Sequence, residues 1–449
     1  MRLYRSPARP ITALILLVAL TLSSRSSRLD ADTSTMAIDV ASVDISTMAT
    51  AQVEKLKSYA SVAWWGEFGD HLIIGGHSKD VDQLLNSSNV AIAGRWENIQ
   101  EQDLKVVIAA HSFDLSKSVK TLTRSGRIAL VMSKSMNSLD LNHGSSNYLV
   151  TNFIENTVYV RAGIHDATPP VWTKSQYLKA KKMMNQVDPV RWYLDVGTLS
   201  NWNRHISSVD NVSARDWIKD QLDQLRPTSS SLQKFTVAGR DAWNVVATFD
   251  AGPASDIYII CGHYDSISER PSESAPGAED NATGAAGVVE LARVFAAAPR
   301  SSTLMFVAFS GEEQGLVGSK AFVRSLDSGT RSRIKAVLNM DMIGYSKDDS
   351  EDVLLESSSR YKNLVDQYAA AARLVSGLKY YTSYNPYGSD HMPFIDNNIP
   401  AILTIDNDWG DYPSYHRSSD TIDKVSRDMG AAILRMNAAA LAGMLSIAP

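Results

Sequence analysis

Apolar and polar positions change rhythm partway along this chain. From about residue 57 to 162, short apolar runs recur: "HLIIGG", "VAIAGRW", "KVVIAAH", "RIALVMS", "NYLVTNF" and "TVYVRAG". Gly, Asn, Ser and Asp separate them, so they read as strands bounded by turns. This stretch predicts a small β-rich or α+β unit. "HDATPPVWTK" follows, and its Pro-Pro pair interrupts regular structure and marks a linker. Beyond it, apolar runs alternate with helical spacing. "DIYIICG", "STLMFVAFS", "IKAVLNMDMIG" and "PAILTI" are apolar at most positions, as strands covered on both faces are. "SARDWIKDQLDQL" has a Ser cap and apolar Trp217, Ile218, Leu222 and Leu225, which predicts an amphipathic helix. "GAAGVVELARVFAAA", "YKNLVDQYAAAARLV" and the C-terminal run read as covering helices. Residues 171–449 therefore predict a three-layer α/β/α sandwich around a mainly parallel mixed sheet.

The strand ends carry the chemistry. Side chains two apart on an extended chain point the same way, so His263 and Asp265 share one side after "DIYIICG". Open α/β sheets place ligands at the carboxyl ends of their strands. Asp280 follows in "PGAEDNATGAAG", Glu312 and Glu313 in "FSGEEQGLVGS", Asp341 in "LNMDMIGY" and His416 in "SYHRSSDT". Any one of these alone reads as a polar surface turn. Their recurrence along one sheet points to one site. Imidazole nitrogen and carboxylate oxygen are donors that zinc accepts. His263, Asp280, Glu313, Asp341 and His416 suffice for two zinc ions sharing a carboxylate. Asp265 is then available to hydrogen-bond the far ring nitrogen of His263. Glu312 is available to accept a proton from a metal-bound water.

"HYDS", "GAEDNATG", "SGEEQGLVGS", "LNMDMIG" and "YHRSSDT" resemble the motifs of the secreted zinc aminopeptidase family typified by bacterial and fungal leucyl aminopeptidases. Glutamate carboxypeptidases and glutaminyl cyclases belong to the wider family. The resemblance covers about 200 to 430, and "SNWNRHISS" is similar to the family's opening helices. It implies zinc on His263 and Asp341, zinc on Glu313 and His416, and Asp280 as the bridge. It further implies Glu312 as general base and acid, Asp265 as partner of His263, Tyr415 as a group that steadies an oxyanion, and a cis peptide after Asp280. Glu279, Thr283 and Arg417-Ser418 depart from the commoner Asp, Ser and Thr-Pro, and no cysteine pair is present. The implied activity is removal of apolar N-terminal residues from a peptide substrate. A carboxypeptidase or dipeptidase, for which Arg360, Arg373 and Arg417 are available, and a glutaminyl cyclase are the enzymatic alternatives. A non-catalytic interaction domain is a more distant one.

Length and charge refine this picture. A chain of 449 residues favours two domains. A net charge of −5 leaves no basic face for nucleic acid. Arg2, Arg5 and Arg9 precede an apolar run over residues 11–22, too short to span a bilayer comfortably. That pattern predicts a signal peptide over 1–24 and a secreted protein with no stable membrane association after its removal. Residues 28–50 read as a flexible lead-in. The unit over 25–170 suits a propeptide, with a permanent accessory domain as the alternative, and a monomer is expected. Cys261 reads as a buried hydrophobe. Asn86, Asn211 and Asn281 head glycosylation sequons, the last inside the site. His71, His77, His111, His143 and His165 read as solvated, and Asp390 and His391 as structural or pocket-lining. "WWGEF" and "RWYLD" read as core aromatics.

Overall fold

Along the strand Ile257–His263, alternate side chains part into two cores. Tyr258 and Ile260 face one, and Ile257, Ile259 and Cys261 face the other. Both faces of this strand are therefore dry, which is why its sequence is apolar at almost every position. The first core is covered by the helices Lys174–Met184, Pro189–Ser200, Val209–Asp223, Thr283–Ala296, Lys362–Ala372 and Arg427–Met444. The second is covered by Val317–Ser325 and Met392–Asp396. The structure is a computed structural model describing residues 37–60, 62–88, 90–109, 119–133, 148–163, 169–299 and 301–445.

The sheet centre is parallel, in the order Thr303–Phe309, Ile257–His263, Ile334–Met340 and Ala401–Asp406. A hairpin of Ser229–Val237 and Arg240–Phe249 flanks it antiparallel on one side. On the other side Asp352–Glu356 runs antiparallel to Ala401–Asp406 and parallel to Lys379–Ser383. The expected α/β/α sandwich with a mixed sheet is thus present.

The sheet does not stop at the expected linker. Thr157–Ala162 pairs antiparallel with Lys379–Ser383, and Trp64–Gly69, His71–Gly76, Ile38–Asp44 and Ile92–Ile99 extend the row to thirteen strands. Thr121–Ser125, Ile128–Met132, Leu104–Ala109 and Tyr148–Asn152 form a second, four-stranded sheet. Its Val106, Ile108 and Leu130 share a core with Leu354, Leu403, Ile405, Trp409 and Tyr415 of the α/β half. From Ile38 onward the chain is one compact unit.

Several local expectations change. Ile38–Asp44, placed in a flexible lead-in, is an interior strand paired on both sides. Its polar residues disguised it: Asp39 is buried against Arg95 at 2.9 Å, and Ser42 is buried too. The helix containing "SARDWIKDQLDQL" begins earlier, at Val209, because Ser208 rather than Ser213 accepts the capping N–H of Asp210. Asn211 is buried and donates to the Arg204 carbonyl, so its sequon is closed to a glycan. Trp64 and Trp192 are core residues, as expected. The signal peptide, His111, His143 and His165 lie outside the described residues. No helix among the described residues is long and apolar enough to cross a membrane.

Candidate metal centre

Three neighbouring parallel strands deliver their ends to one place. His263 closes Ile257–His263, Glu312 and Glu313 follow Thr303–Phe309, and Asp341 follows Ile334–Met340. Asp280 comes from the turn before the helix Thr283–Ala296, and His416 from the loop after Ala401–Asp406. That turn is fixed by close backbone approach. A Cβ added at Gly284 would lie 2.3 Å from the Met340 carbonyl oxygen, so only glycine lets the helix sit against the strand end. The Asp280–Asn281 peptide is cis. Buried Asn281 accepts from the N–H groups of Gly284 at 2.8 Å and Met342 at 3.2 Å, and donates to the Met340 carbonyl at 3.0 Å. Its sequon is therefore closed as well.

Asp280 stands between the two histidines. Its Oδ1 is 3.4 Å from His263 Nε2, and its Oδ2 is 3.1 Å from His416 Nε2. Asp341 Oδ1 is 3.3 Å from the same His263 nitrogen, and Glu313 Oε2 is 3.0 Å from the same His416 nitrogen. One carboxylate thus spans two imidazole–carboxylate pairs. Glu312 Oε2 lies 4.0 Å from His263 Nε2, on the first pair's side. Tyr415 stacks on His416, with ring centroids 3.7 Å apart.

This much buried acid calls for positive charge. Neither carboxylate oxygen of Asp280 or Glu313 receives a hydrogen bond of good geometry. Buried acceptors are rarely left this way, because the lost hydration is not replaced. The donor atoms of His263, Glu312 and Asp341 lie within 4.8 Å of one another, as do those of His263, Asp280 and Glu313. Nitrogen and oxygen donors so gathered fit divalent cations of the zinc type. Without a cation the groups perturb one another. Burial lifts the Glu312 carboxyl well above its usual range, His263 opposes, and Glu313, Asp341 and Asp390 add to the rise. Burial lifts Glu313 as well. It acts to lower His263 and His416, yet the facing carboxylates overcome it and raise both.

A surrounding layer holds these groups in place. Ser389 Oγ donates to Asp341 Oδ2 at 2.5 Å. Asp420 accepts from the N–H groups of Glu279 at 2.9 Å and Asp280 at 3.1 Å, and from the Tyr412 hydroxyl at 2.5 Å. Asp265 differs from expectation. Its carboxylate is 3.7 Å from His263 Nδ1, and the Asp265 main-chain oxygen is the nearer partner, at 3.1 Å. The strand ends at His263, so alternation no longer sets the direction of Asp265. Its carboxylate instead accepts the N–H groups of Glu312 at 3.2 Å and Glu313 at 3.3 Å. Arg204 escaped the sequence reading. Its buried guanidinium donates to the carbonyls of Tyr264 at 2.7 Å, Leu199 at 2.9 Å, Gly277 at 2.7 Å and also Pro276. It ties the strand end to the loop before Asp280. Asp390 and His391, read as structural or pocket-lining, are buried beside Ser389.

Residues 244–441, which contain this whole cluster, match peptidase family M28. They form an M28 peptidase domain. Aminopeptidase YwaD of Bacillus subtilis is 30% identical over 179 residues, 38% of this chain and 38% of that protein. The chain thus matches well under two thirds of that relative's length. A probable leucine aminopeptidase of Trichophyton verrucosum is 28% identical over 255 residues, 52% of this chain and 67% of that protein. The solved structure of the LapA aminopeptidase of Legionella pneumophila superposes with a TM-score of 0.55 at 18% identity, covering 75% of this chain and 97% of that one. At that identity the likeness concerns the fold. Outside the M28 segment, Arg204 and the strands before residue 163 complete the surroundings of the M28 cluster.

Proposed function

We propose that the chain is a secreted zinc aminopeptidase that removes N-terminal, preferentially apolar, residues from peptides. The observation that carries this reading is Asp280, with one carboxylate oxygen toward His263 and Asp341 and the other toward His416 and Glu313. His263 and Asp341 would hold one zinc ion, Glu313 and His416 a second, and Asp280 both. Bound zinc supplies Lewis acidity and a water of lowered pKa. Glu312 is buried on the His263 side, 4.0 Å from Nε2, where its carboxylate can take a proton and return it to the leaving amine. Asp265 fixes the Glu312–Glu313 backbone from behind. Tyr415, stacked on His416, would be the group to steady an oxyanion. The M28 match and relatives named as aminopeptidases support an exopeptidase, and a relative named leucine aminopeptidase supports the apolar preference. The N-terminal signal pattern supports secretion.

A panel of aminoacyl and N-blocked chromogenic substrates, assayed with and without chelator, tests the proposal. Free-amine substrates with apolar side chains should be cleaved, chelator should stop the reaction, and zinc should restore it. Equal cleavage of N-blocked substrates, or indifference to chelator, would overturn it. Zinc per chain, measured by elemental analysis, tests the count of two.

A further inference from the structure

The hairpin of Thr121–Ser125 and Ile128–Met132 turns through two residues, Gly126 and Arg127. Gly126 has φ +52°, which a two-residue hairpin turn needs and a β-carbon disfavours. Arg127 is buried, although it belongs to the N-terminal strands and carries a full charge. Its Nη1 donates to Glu356 Oε1 at 2.9 Å, and neither side chain has any exposed surface. Its Nε donates to the Ala109 carbonyl at 2.9 Å, and its Nη2 to the Tyr387 carbonyl.

Two routes lead from this guanidinium to the metal centre. In the first, the Tyr387 peptide is held from both sides. Its carbonyl accepts from Arg127, and its N–H donates to Glu356 Oε1 at 3.2 Å. Glu356 also faces His391 Nε2 at 3.5 Å. Between Tyr387 and His391 lies Ser389, whose hydroxyl holds Asp341. In the second, the guanidinium lies over the Trp409 ring at 5.5 Å, Trp409 meets Tyr415 edge-on at 6.3 Å, and Tyr415 stacks on His416. The routes end on Asp341 and His416, one residue from each imidazole–carboxylate pair.

We infer that Arg127 is a positioning residue for both pairs, and that residues 38–163 stay in the active enzyme rather than leaving as a propeptide. Their removal would leave the Glu356 carboxylate buried without its cation and would uncover the face of Leu403, Ile405 and Trp409. The inference rests on the zinc-peptidase reading, but zinc content reports on it independently of turnover.

The test uses the full chain. Arg127→Met should lower zinc affinity by about 10- to 100-fold, the usual effect of losing a group that orients a metal ligand. It should lower kcat more than it raises KM. Arg127→Lys should fall between Met and the parent. Arg127→Met combined with Glu356→Gln should recover much of the zinc affinity, since the stranded carboxylate is then gone. A specific protease site inserted between residues 163 and 169 supplies a second arm that does not depend on folding of a variant. After cleavage the two pieces should co-elute and keep their zinc and activity. Arg127→Met with unchanged zinc affinity and kcat would overturn the positioning role. A cleaved protein that sheds its N-terminal piece while keeping zinc and turnover would overturn retention. A parent protein that binds zinc but cleaves no peptide would instead sink the functional proposal.

Discussion

Buried charge is treated differently in residues 38–163 and at the strand ends of the α/β half, whose frame keeps pairs of its own such as Arg191 with Glu290. In residues 38–163 it is paired. Glu67, fully buried, meets Lys57 at 2.6 Å and Arg161 at 2.8 Å, and Asp39 meets Arg95 at 2.9 Å. At the strand ends of the M28 domain it is massed. Asp280, Glu312, Glu313 and Asp341 crowd two imidazoles, and the buried guanidinium behind them, Arg204, spends its donors on carbonyls. Paired buried charge closes on itself and specifies packing. Massed like charge is held only because something else is to be bound. The contrast separates structure from site without reference to motif, and substitutions on each side of it should fail in different ways.

The largest effect belongs at Asp280. Asp280→Ala removes the one group common to both pairs, so zinc content should fall and turnover should drop below detection. Elemental analysis beside a chromogenic assay checks this, and a variant that keeps its zinc and its rate would show that the two pairs are independent.

Glu312 and Glu313 come next, because neighbours in sequence should part in effect. Glu312→Gln should keep zinc and lose about 10²–10⁴-fold in kcat, the usual share of general acid–base catalysis. Glu313→Ala should lose zinc affinity at one pair, with activity partly restored by excess zinc. The reverse pattern, Glu312→Gln shedding metal and Glu313→Ala holding it, would mean that the two roles are exchanged.

Gly284→Ala tests the turn rather than the ligands. Its Cβ would lie 2.3 Å from the Met340 carbonyl and 2.4 Å from Asn281 Oδ1, so the turn carrying Asp280 must move. Overpacking of this kind costs about 1–3 kcal/mol. Zinc affinity and the urea midpoint should fall together. A loss of stability with unchanged zinc affinity would show that Asp280 tolerates the shift.

What was legible in the sequence follows the same division. The strand-end acids and histidines stood out because apolar runs stopped at them, and the sheet centre was readable from those runs. Thr157–Ala162 looked like a strand, but its partner Lys379–Ser383 lies far away in sequence, and no local pattern encodes that pairing. Ile38–Asp44 was hidden because Asp39 and Ser42 resemble a solvated segment until Arg95 is seen beside Asp39. Arg127 and Arg204 were overlooked because charged residues are seldom buried, and their partners are mainly carbonyls, which leave no trace in composition. Asp265 was found, and its carboxylate lies 3.7 Å from His263 Nδ1, but its hold on the Glu312 and Glu313 N–H groups was not foreseen, because main-chain partners leave no trace in side-chain alternation.

The smallest effect on turnover is expected at Glu67, and it tests the paired side of the contrast. Glu67 touches neither route from Arg127 to the metal centre. Its Oε2 faces Lys57, whose side chain is only 4% exposed, and its Oε1 faces Arg161. Glu67→Gln keeps the shape and deletes the charge, which leaves the Lys57 ammonium with only the exposed Glu54 carboxylate, at 2.8 Å, and Arg161 without its buried partner. Breaking a buried pair from one side costs about 3–5 kcal/mol when the remaining charge has no other partner, and Glu54 offsets part of that cost here. The urea midpoint should fall accordingly, and the loss should shrink when Lys57→Met is added, because the ammonium is then gone too. Well below the transition, kcat, KM and zinc content should stay at parent values. If Glu67→Gln instead lost turnover while its unfolding midpoint held, paired buried charge would be part of the catalytic apparatus, and the division between the two regions would fail.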